Sequence, residues 1–470
     1  MPEPEQYGAV IIGSGEAGKY LGWYLASHGT RVAVIEKDHV GGACPNVACL
    51  PTKNVVHSAK IASYFRRGAE FGVVHGAWHV DMAAVSARRQ KMVEGLREVH
   101  FANFKKSGAE FVPGFGRFIG EKTVEVDLPA GGTRTLRADR IFIDTGSRAT
   151  IDQIPGLVES RPLTHIEALE LEVLPEHLII IGGGFVGLEF AQAMRRFGSR
   201  VTVVERNPSL VHTQDSDVIE ALQQLFHDEG IDVLNDATLL SVEGTSGKAV
   251  TLHLKQPTGE STIAGSHLLV ATGRTPNTQN MGLDVAGVKT SPSGHIQVNE
   301  RLETTAPGVW AMGDCAGSPH FTHISFDDFR IVRDNLSQNE SAGKSHTTTG
   351  RQVPSCMFTD PEFAHIGLKE NEAKKQNIPY RLAKIPAAAV LRTRTLSETR
   401  GFLKALISPD DRILGFTGFV TGAGELLPAV QLAMATHLPY TTLRDLILTH
   451  PTLSEGLMVL FTAVPPLPAT

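Results

Sequence analysis

Two cysteines five positions apart are the residues in this chain best placed for redox or metal chemistry. Cys44 and Cys49 lie in the segment GGACPNVACLPTK, residues 41–53. A structural zinc site, a stabilising disulfide, a redox disulfide or coincidence would each account for the pair. Zinc usually takes four ligands in two closely spaced pairs, and the other cysteines, Cys315 and Cys356, are isolated. That isolation argues against zinc.

The sequence around the pair favours redox use over a structural cross-link. A disulfide needs Cα atoms within about 7 Å, whereas five residues of straight helix rise about 7.5 Å. Pro45 and Pro51 interrupt helical hydrogen bonding, so a bent start of a helix would bring the two sulfur atoms closer. Closing so short a loop adds little stability, and a helix N-terminus lowers thiol pKa values. We therefore expect a reactive thiol pair.

Two glycine-rich segments share one internal spacing. Each contains three glycines between apolar runs and a glutamate 23 positions after the first glycine: Gly13, Gly15, Gly18 and Glu36 in one copy, and Gly182, Gly184, Gly187 and Glu205 in the other. Such glycines allow a tight turn, close approach of a pyrophosphate and helix packing, and the acid accepts from a ribose hydroxyl. The repeated spacing predicts two dinucleotide sites.

Further residues suit a flavin at the first of these sites, held in place while the second nucleotide is exchanged. Two apolar runs end in similar turns, at Thr145-Gly146 and at Gly273. Asp314 follows another apolar run and opens a turn. Its carboxylate could accept from a ribityl hydroxyl, or serve as an ordinary N-cap. Both roles fit the sequence.

On these motifs the chain resembles the flavoprotein disulfide reductases, which include dihydrolipoamide dehydrogenase, glutathione reductase and mercuric reductase. The resemblance spans residues 7–460, with the motifs in the expected order. It implies tightly bound FAD and a redox-active disulfide between Cys44 and Cys49. Cys44 would be the interchange thiol that faces substrate, and Cys49 the charge-transfer thiol that faces the flavin.

The resemblance also assigns roles to other residues. Lys53 and Glu189 would pair near the flavin N5 atom, and Glu36 and Asp314 would contact the FAD ribose and ribityl groups. The implied FAD-binding set is Gly13, Gly15, Gly18, Glu36, Gly42, Lys53, Gly116, Thr145, Gly146 and Asp314. The implied NAD(P)-binding set is Gly182, Gly184, Gly187, Glu205, Arg206 and Gly273.

A histidine near the end of the chain supplies a candidate base. In LTHPTLSE, His450 and Glu455 match the family's His-Pro-x-x-x-Glu pair. A thiol must lose a proton when a mixed disulfide forms, and a histidine can carry it near neutral pH. The resemblance implies a homodimer in which His450 completes the active site of the partner, because it cannot reach Cys44 of its own chain.

The predicted architecture is α/β, with two Rossmann-like dinucleotide-binding domains and a C-terminal α+β dimerisation domain. The predicted domains are 1–150 for FAD, 151–275 for NAD(P), 276–347 for a central domain that completes the FAD site, and 348–470 for the interface. Helices are expected near 55–110. Residues 318–336 should enter a helix whose N-terminus stabilises reduced flavin. In the competing interpretation this is an ordinary amphipathic helix with Asp327 and Asp328 solvated.

Composition narrows the class of protein. The net charge of −6 and the lack of a basic stripe argue against nucleic-acid binding. Four cysteines in 470 residues do not form a secreted disulfide framework. No signal-peptide pattern is seen, and the longest apolar run contains three successive glycines. We expect a cytoplasmic protein with a small-molecule or metal-ion substrate and no membrane partner.

The sequence also bears on which nucleotide and which substrate the protein uses. Glu205 should accept from the adenosine 2′-hydroxyl and favour NADH, although Arg206 could bind a 2′-phosphate if Glu205 turned away. The chain lacks the C-terminal cysteine pair of mercuric reductases, and Phe185 and His450 replace two of their tyrosines. Other segments still resemble the branch of mercuric-reductase-like enzymes linked to reactive-chlorine and copper stress.

Three functions follow from this comparison. The first is reduction of a metal ion, Hg(II) or Cu(II), or of a small disulfide, with no fixed metal and with Cys44 and Cys49 as ligands for a metal substrate. The second is dihydrolipoamide dehydrogenase activity, supported by the intact His450–Glu455 pair. The third is a non-catalytic flavin redox sensor or metal-sequestering protein.

Overall fold

The structure is a computed structural model and describes residues 3–336 and 346–467. The strands, in chain order, are β1 Glu5–Tyr7, β2 Ala9–Ile12, β3 Val32–Glu36, β4 Glu110–Pro113, β5 Phe115–Gly120, β6 Thr123–Asp127, β7 Thr133–Ala138, β8 Ile141–Ile143, β9 Ser147–Ala149, β10 His177–Ile181, β11 Arg200–Val204, β12 Asp232–Leu234, β13 Thr238–Thr245, β14 Ala249–Gln256, β15 Gly259–Gly265, β16 His267–Val270, β17 Arg274–Pro276, β18 Val309–Ala311, β19 Ser355–Met357, β20 Glu362–Gly367, β21 Arg381–Pro386, β22 Phe402–Ile407 and β23 Ile413–Val420.

The helices, in chain order, are α1 Glu16–Ser27, α2 Ala43–Asn46, α3 Cys49–Arg66, α4 Met82–Ser107, α5 His165–Leu169, α6 Phe185–Phe197, α7 Ser216–Asp228, α8 Thr322–Leu336, α9 Glu370–Gln376, α10 Leu391–Thr395, α11 Ala423–Ala435, α12 Tyr440–Arg444 and α13 Glu455–Thr462. The expected helices near 55–110 are α3 and α4. The expected helix in 318–336 is α8.

Two parallel sheets carry the two glycine-rich segments. The first has strand order β18-β8-β2-β3-β4 and the second β12-β11-β10-β16. Residues of β2 and β10 are all buried, as expected of parallel strands covered on both faces. Each glycine segment connects two adjacent parallel strands through a helix, by way of α1 in the first sheet and α6 in the second. Both predicted strand–turn–helix–strand units are therefore present.

The chain returns to the first sheet after completing the second. Strand β18 pairs in parallel with β8 and forms the edge of the first sheet. The loop and helix that follow β18 consequently lie at the same carboxyl edge as the first glycine turn, where ligands bind in open α/β sheets. This return is what brings residues 314–328 to the first glycine turn.

The C-terminal part is an antiparallel sheet covered by helices. Its strand order is β19-β20-β23-β22-β21, and residues of α11 and α13 share its buried apolar cluster. The predicted α+β character of this region is confirmed.

The described ranges contain neither a membrane-spanning helix nor a cluster of metal ligands. Among these residues, no helix has both the length and the continuous apolar sequence needed to cross a bilayer. Nor do three or more His, Cys, Asp or Glu side chains within the described ranges form a group able to hold a metal ion.

Lys404, on β22, is a buried lysine that ties the antiparallel sheet to α7. Its side chain is 2% exposed, and its Nζ atom lies 2.8 Å from a carboxylate oxygen of Asp215 and of Asp217. We expect Lys404→Met to lower the free energy of unfolding by about 3–5 kcal/mol, because the change leaves the buried Asp215 carboxylate without its cation, while Asp217 keeps its pair with Lys384. Urea denaturation measures this loss.

Lys374→Met is the matched control, since the Lys374–Glu370 ion pair is exposed at the lysine and should contribute little. Burial raises the pKa values of Asp215 and Asp217, but hydrogen bonds and charges of the lysines, together with backbone N–H groups at Asp215, hold both below their usual range. The stabilisation should therefore be present above about pH 4 and fade as the carboxyl groups protonate at lower pH. Equal unfolding free energies for wild type and Lys404→Met at neutral pH would contradict this assignment.

Candidate active site

Cys44 and Cys49 lie on two helical segments separated by a kink. Cys44 belongs to α2, and Cys49 is the first residue of α3. Pro51 falls in the first turn of α3, where its missing N–H costs no internal hydrogen bond. The bent helix start expected from the prolines is therefore present. Both cysteines are half-buried free thiols.

Groups around Cys49 stabilise its thiolate. Its Sγ atom lies 3.1 Å from the hydroxyl of Thr322, the first residue of α8, so two helix N-termini meet at this sulfur. The hydrogen bond with Cys44 lowers the pKa of Cys49. Thr322 and the charge of Lys53 lower it further, against the effect of burial. The hydrogen bond with Cys49 raises the pKa of Cys44, so a Cys49 thiolate beside a Cys44 thiol is favoured.

Lys53 and Glu189 form an ion pair that joins the cysteine helix to the second dinucleotide unit. Lys53 lies one turn after Cys49 on α3, and its Nζ atom is 2.8 Å from Glu189 on α6. Glu189 is buried and also accepts the backbone N–H of Phe358 at 2.8 Å. The Lys53 ammonium lies 4.8 Å from the centre of the Phe358 ring. The structure thus brings together two residues that were paired only on the resemblance.

The cysteine segment packs directly on the first glycine turn. Gly42 has a φ of 73°, and a Cβ atom there would lie 2.6 Å from Cα of Gly15. A Cβ at Gly13 would lie 2.1 Å from the carbonyl oxygen of Asp144, and one at Gly18 would lie 2.3 Å from that of Gly13. Only glycine fits at these positions. Helix α1 begins at this turn without a cap from its N-cap residue. The N–H groups of Ala17 and Gly18 are donated to Ser325 and Asp144, which leaves the first N–H of the helix, that of Glu16, for an anion.

The second glycine turn has the same construction. A Cβ at Gly182 would lie 2.4 Å from the carbonyl oxygen of Ala271, and one at Gly187 would lie 2.2 Å from that of Gly182. No heavy atom of the described residues lies within 4 Å of a Cβ built on Gly184, where the uncapped α6 begins. Gly273 adopts a φ of 147° after β16. Open space at an uncapped helix N-terminus suits a pyrophosphate.

Glu36 and Glu205 make equivalent contacts in the two units. Each accepts a backbone N–H from its glycine turn, at 2.9 Å from Ser14 and 2.6 Å from Gly183. Each also accepts the N–H of the residue two positions further along the chain. These bonds hold both carboxylates at the edge of a glycine turn, where a ribose would lie. Arg206 is exposed beside the second one.

Asp314 lies after β18, beside the first glycine turn. Its carboxylate accepts a hydrogen bond from the hydroxyl of Ser147 and lies 3.6 Å from Nε of Arg274. The N-cap of the short helical turn Gly313–Ala316 is Met312, and Asp314 lies inside the turn, so the alternative N-cap role is wrong. The nearby Thr145 hydroxyl is buried and has no partner among the described residues. Gly146, next to it, has a φ of 64°.

These features fit a flavin dinucleotide. The glycine turn leaves room for a pyrophosphate, and the first N–H of α1 points to the same place. The Thr145 hydroxyl, which has no partner among the described residues, and the Asp314 carboxylate remain for a polar ligand. When bound, FAD would supply a two-electron carrier between a nicotinamide and the cysteine pair. Gly116, on β5, lies against Ile35 and Ile12, the residues directly before Glu36 and Gly13, with a Cβ position 3.2 Å from Ile35; its contact with FAD stays a prediction.

His450 and Glu455 form a hydrogen-bonded pair at the surface of the chain. Nδ1 of His450 lies 2.9 Å from Glu455, and the backbone N–H of Thr452 holds the second carboxylate oxygen at 2.8 Å. These bonds lower the pKa of Glu455, first through Thr452 and then through His450. His450 is 62% exposed, next to the fully exposed Ile447. In the described residues no hydrogen bond or ion pair joins His450 to either active-site cysteine of the same chain.

The interpretation of α8 as an ordinary helix with solvated acids is wrong for Asp328. This carboxyl group is fully buried and accepts from the N–H of Gly313 at 2.8 Å and the hydroxyl of Ser318 at 2.7 Å. It also pairs with Arg351 at 2.5 Å. Burial nevertheless raises its pKa above the usual range. Asp328 thereby fixes the turn that presents Asp314.

Sequence reasoning did not single out Thr322 or Asp144. Thr322 touches Cys49 across 273 positions of sequence, and Asp144 contacts Gly18 across 126. Thr322 could have been found as the first residue of a predicted helix. Asp144 could have been found as an acid directly before a predicted turn, at the end of an otherwise apolar strand.

Family models match nearly the whole chain. A model described as pyridine nucleotide-disulphide oxidoreductase matches residues 7–328, and the dimerisation domain of the same family matches residues 353–460.

Full-length relatives show the same similarity. The chain is 34% identical over 464 residues to a probable pyridine nucleotide-disulfide oxidoreductase, RclA, of Escherichia coli, covering 98% of this chain and 99% of that protein. It is 34% identical to a dihydrolipoyl dehydrogenase of Thermus scotoductus, covering 96% of each. It is 33% identical to a mercuric reductase of Shewanella putrefaciens, covering 95% of this chain and 79% of that protein.

A solved structure shows the same similarity. The Cu(II) complex of the HOCl-induced flavoprotein disulfide reductase RclA of Escherichia coli superposes with a TM-score of 0.89 at 34% identity, covering 98% of this chain and all of that one.

Proposed function

This chain belongs to the pyridine nucleotide-disulphide oxidoreductase family, whose members are FAD-dependent flavoproteins, and from that premise we propose that it carries electrons from NADH through FAD and the Cys44–Cys49 pair to a metal ion or a small disulfide. In this proposal residues 1–150 and 276–347 bind FAD, residues 151–275 bind NADH, and residues 348–470 form the dimer.

The observation that carries the proposal is the environment of Cys49. It lies at the N-terminus of α3, within hydrogen-bond distance of Thr322 and in the field of Lys53. Its lowered pKa makes it the thiolate of the pair, and Cys44 the thiol that meets the acceptor. The contact of Gly42 with Gly15 places this pair beside the first glycine turn.

Different residues assist electron transfer and proton transfer in this proposal. Lys53, held by Glu189, provides a fixed positive charge beside the electron path, which stabilises negative charge that develops there. His450 takes the proton that Cys44 must lose when it attacks an acceptor, and Glu455 orients the ring by accepting from Nδ1. Because His450 is exposed in a single chain, we propose that it acts on the cysteines of the partner in a homodimer.

The proposed preference for NADH rests on Glu205. Its carboxylate is fixed by Gly183 and Asn207 and would meet a 2′-phosphate as a like charge. We expect Glu205→Ala to shift the NADPH/NADH ratio of kcat/KM toward NADPH by about tenfold or more, since a hydrogen bond to a charged group contributes about 1.5–3 kcal/mol.

Two further variants separate the charge of Glu205 from its shape and test the contribution of Arg206. Glu205→Gln keeps the shape of the side chain without its charge, so it should relieve repulsion of NADPH with a smaller loss of NADH use. Adding Arg206→Ala to Glu205→Ala should remove part of the gained NADPH use, because Arg206 is the exposed cation at that position. An unchanged NADPH/NADH ratio of kcat/KM in Glu205→Ala would contradict the proposed preference for NADH.

The proposed acceptor class rests on the relatives and on the partial exposure of Cys44. One relative was solved as a Cu(II) complex and others are mercuric reductases, and two neighbouring thiols are soft ligands suited to such ions. We therefore propose a thiophilic metal ion, Hg(II) or Cu(II), or a small disulfide as acceptor. Dihydrolipoamide dehydrogenase activity is the second candidate, favoured by the intact His450–Glu455 pair at 2.9 Å.

Steady-state NADH oxidation by the purified protein separates these candidates. Oxidised lipoamide is compared with Hg(II) and Cu(II) under excess thiol, with enzyme-free reactions and Cys44→Ser as controls. Turnover with metal that requires Cys44, and none with lipoamide, is the expected result. Fast turnover with lipoamide and simple inhibition by metals would make the second candidate correct. Bound FAD with negligible turnover on every acceptor would indicate the non-catalytic sensor.

A further inference from the structure

The carboxyl group of Asp144 touches both halves of the first dinucleotide site. Its Oδ2 atom accepts the backbone N–H of Gly18 at 2.7 Å and lies 2.6 Å from the position of a Cβ on Gly15. Its Oδ1 atom lies 3.0 Å from the position of a Cβ on Gly313, the residue before Asp314. One side chain therefore connects the glycine turn to the Asp314 turn.

The surroundings of Asp144 disfavour a charged carboxylate. The residue is buried, and the charged side chains that act on it most are the acids Asp314, Asp328 and Glu16. The cations nearby are each paired with one of these acids: Arg274 with Asp314, Arg351 with Asp328 and Lys19 with Glu16. In the part of the chain that the structure describes, no lysine, arginine or histidine forms an ion pair with it. Burial raises its pKa well above the usual range and these acids raise it further, while the hydrogen bond from Gly18 opposes them.

The remaining titratable neighbour does not supply a positive charge either. Cys315 is buried beside Asp144, and burial is the main cause that raises its pKa to about 12. A thiol that holds its proton across the neutral range leaves the acid uncompensated. An ionised Asp144 would also place a negative charge next to Gly15, close to where a pyrophosphate with two negative charges would bind.

We propose that Asp144 is a positioning residue for the flavin, which as an uncharged carboxylic acid holds the glycine turn against the Asp314 turn and on losing its proton weakens flavin binding. This rests on the proposed binding of FAD at the first glycine turn. The charge balance is simple: one proton leaves the carboxyl group to solvent, and one negative charge appears beside the pyrophosphate.

The proton also links folding to pH. The folded chain keeps this proton, whereas an unfolded chain loses it above about pH 4. Stability attributable to Asp144 therefore falls as pH rises toward the folded-state pKa. Asparagine has the same shape and can still accept from Gly18, but it does not titrate.

The test measures the dissociation constant of FAD by fluorescence between about pH 6 and pH 10. Wild type, Asp144→Asn and the exposed matched control Asp284→Asn are compared. At about pH 6 all three should bind FAD alike. Toward pH 10 binding should weaken about tenfold in wild type and in Asp284→Asn, because a like charge appears near the phosphates, and should stay flat in Asp144→Asn. Asp144→Thr, which keeps an acceptor without a carboxyl group, should also give a flat profile.

Each outcome decides a different claim. Parallel pH profiles for wild type and the two Asp144 variants would overturn the role of Asp144 while leaving flavin binding intact. Wild-type protein that binds no FAD at any pH would overturn the proposed function itself. Melting temperatures provide an independent readout, since the advantage of Asp144→Asn over wild type should grow with pH.

Discussion

Cys49→Ser is expected to stop electron transfer to every acceptor while FAD stays bound. Turnover should fall by at least about 1,000-fold, as for loss of a covalent catalytic group, because a serine hydroxyl neither forms a disulfide nor ionises near neutral pH. FAD should remain because the glycine turns, Glu36 and Asp314 are unchanged. The long-wavelength absorption band that a thiolate produces beside an oxidised flavin should vanish, since Cys49 is the sulfur with the lowered pKa.

NADH-oxidation rates and the visible spectrum of the purified variant test this expectation. Cys356→Ser is the matched control, because Cys356 is also half-buried but has a pKa raised by burial; it should keep both turnover and the band. Survival of the band in Cys49→Ser would show that the roles of Cys44 and Cys49 are reversed.

His450→Ala should lower turnover by about 10²- to 10⁴-fold, the range for loss of a general acid–base group. Flavin content and the Cys49 band should not change, since His450 has no hydrogen bond or ion pair with the cysteines of its own chain in the described residues. Glu455→Gln should cost less, because the amide can still accept from Nδ1 and hold the ring without stabilising its positive charge. Steady-state rates with each variant measure these differences.

Mixed dimers test whether His450 acts on the cysteines of its own chain or on those of its partner. A dimer with Cys44→Ser in one chain and His450→Ala in the other has one complete site if each site uses Cys44 of one chain and His450 of its partner. Differently tagged chains allow its purification, and it should recover about half of the wild-type rate. A mixed dimer as inactive as its parents would show that His450 acts within its own chain.

Much of the fold could be predicted because its signals are local. The glycine spacing, the apolar strands and the closing glutamates each occupy about 30 neighbouring residues, and the structure forms both units at the predicted places. The prolines around Cys49 likewise indicated a bent helix start, which the break between α2 and α3 supplies.

The contacts that tune the site could not be predicted, because they join distant parts of the chain. Thr322 reaches Cys49 only because β18 rejoins the first sheet and directs α8 back toward α3. In the sequence Asp328 looks like a solvated acid of an amphipathic helix. Only the folded structure shows that it is buried and paired with Arg351. The sequence likewise does not identify the acceptor, which would meet two thiols and few other side chains.

Counting electrons tests the central claim most directly, namely that Cys44 and Cys49 form a second two-electron carrier beside the flavin. Anaerobic titration with dithionite, followed by absorbance, measures how many electrons the protein accepts for each bound FAD. We predict four for the wild type, two in the flavin and two in the disulfide, and two for Cys44→Ser. A wild-type protein that accepts only two electrons per FAD would contradict this account.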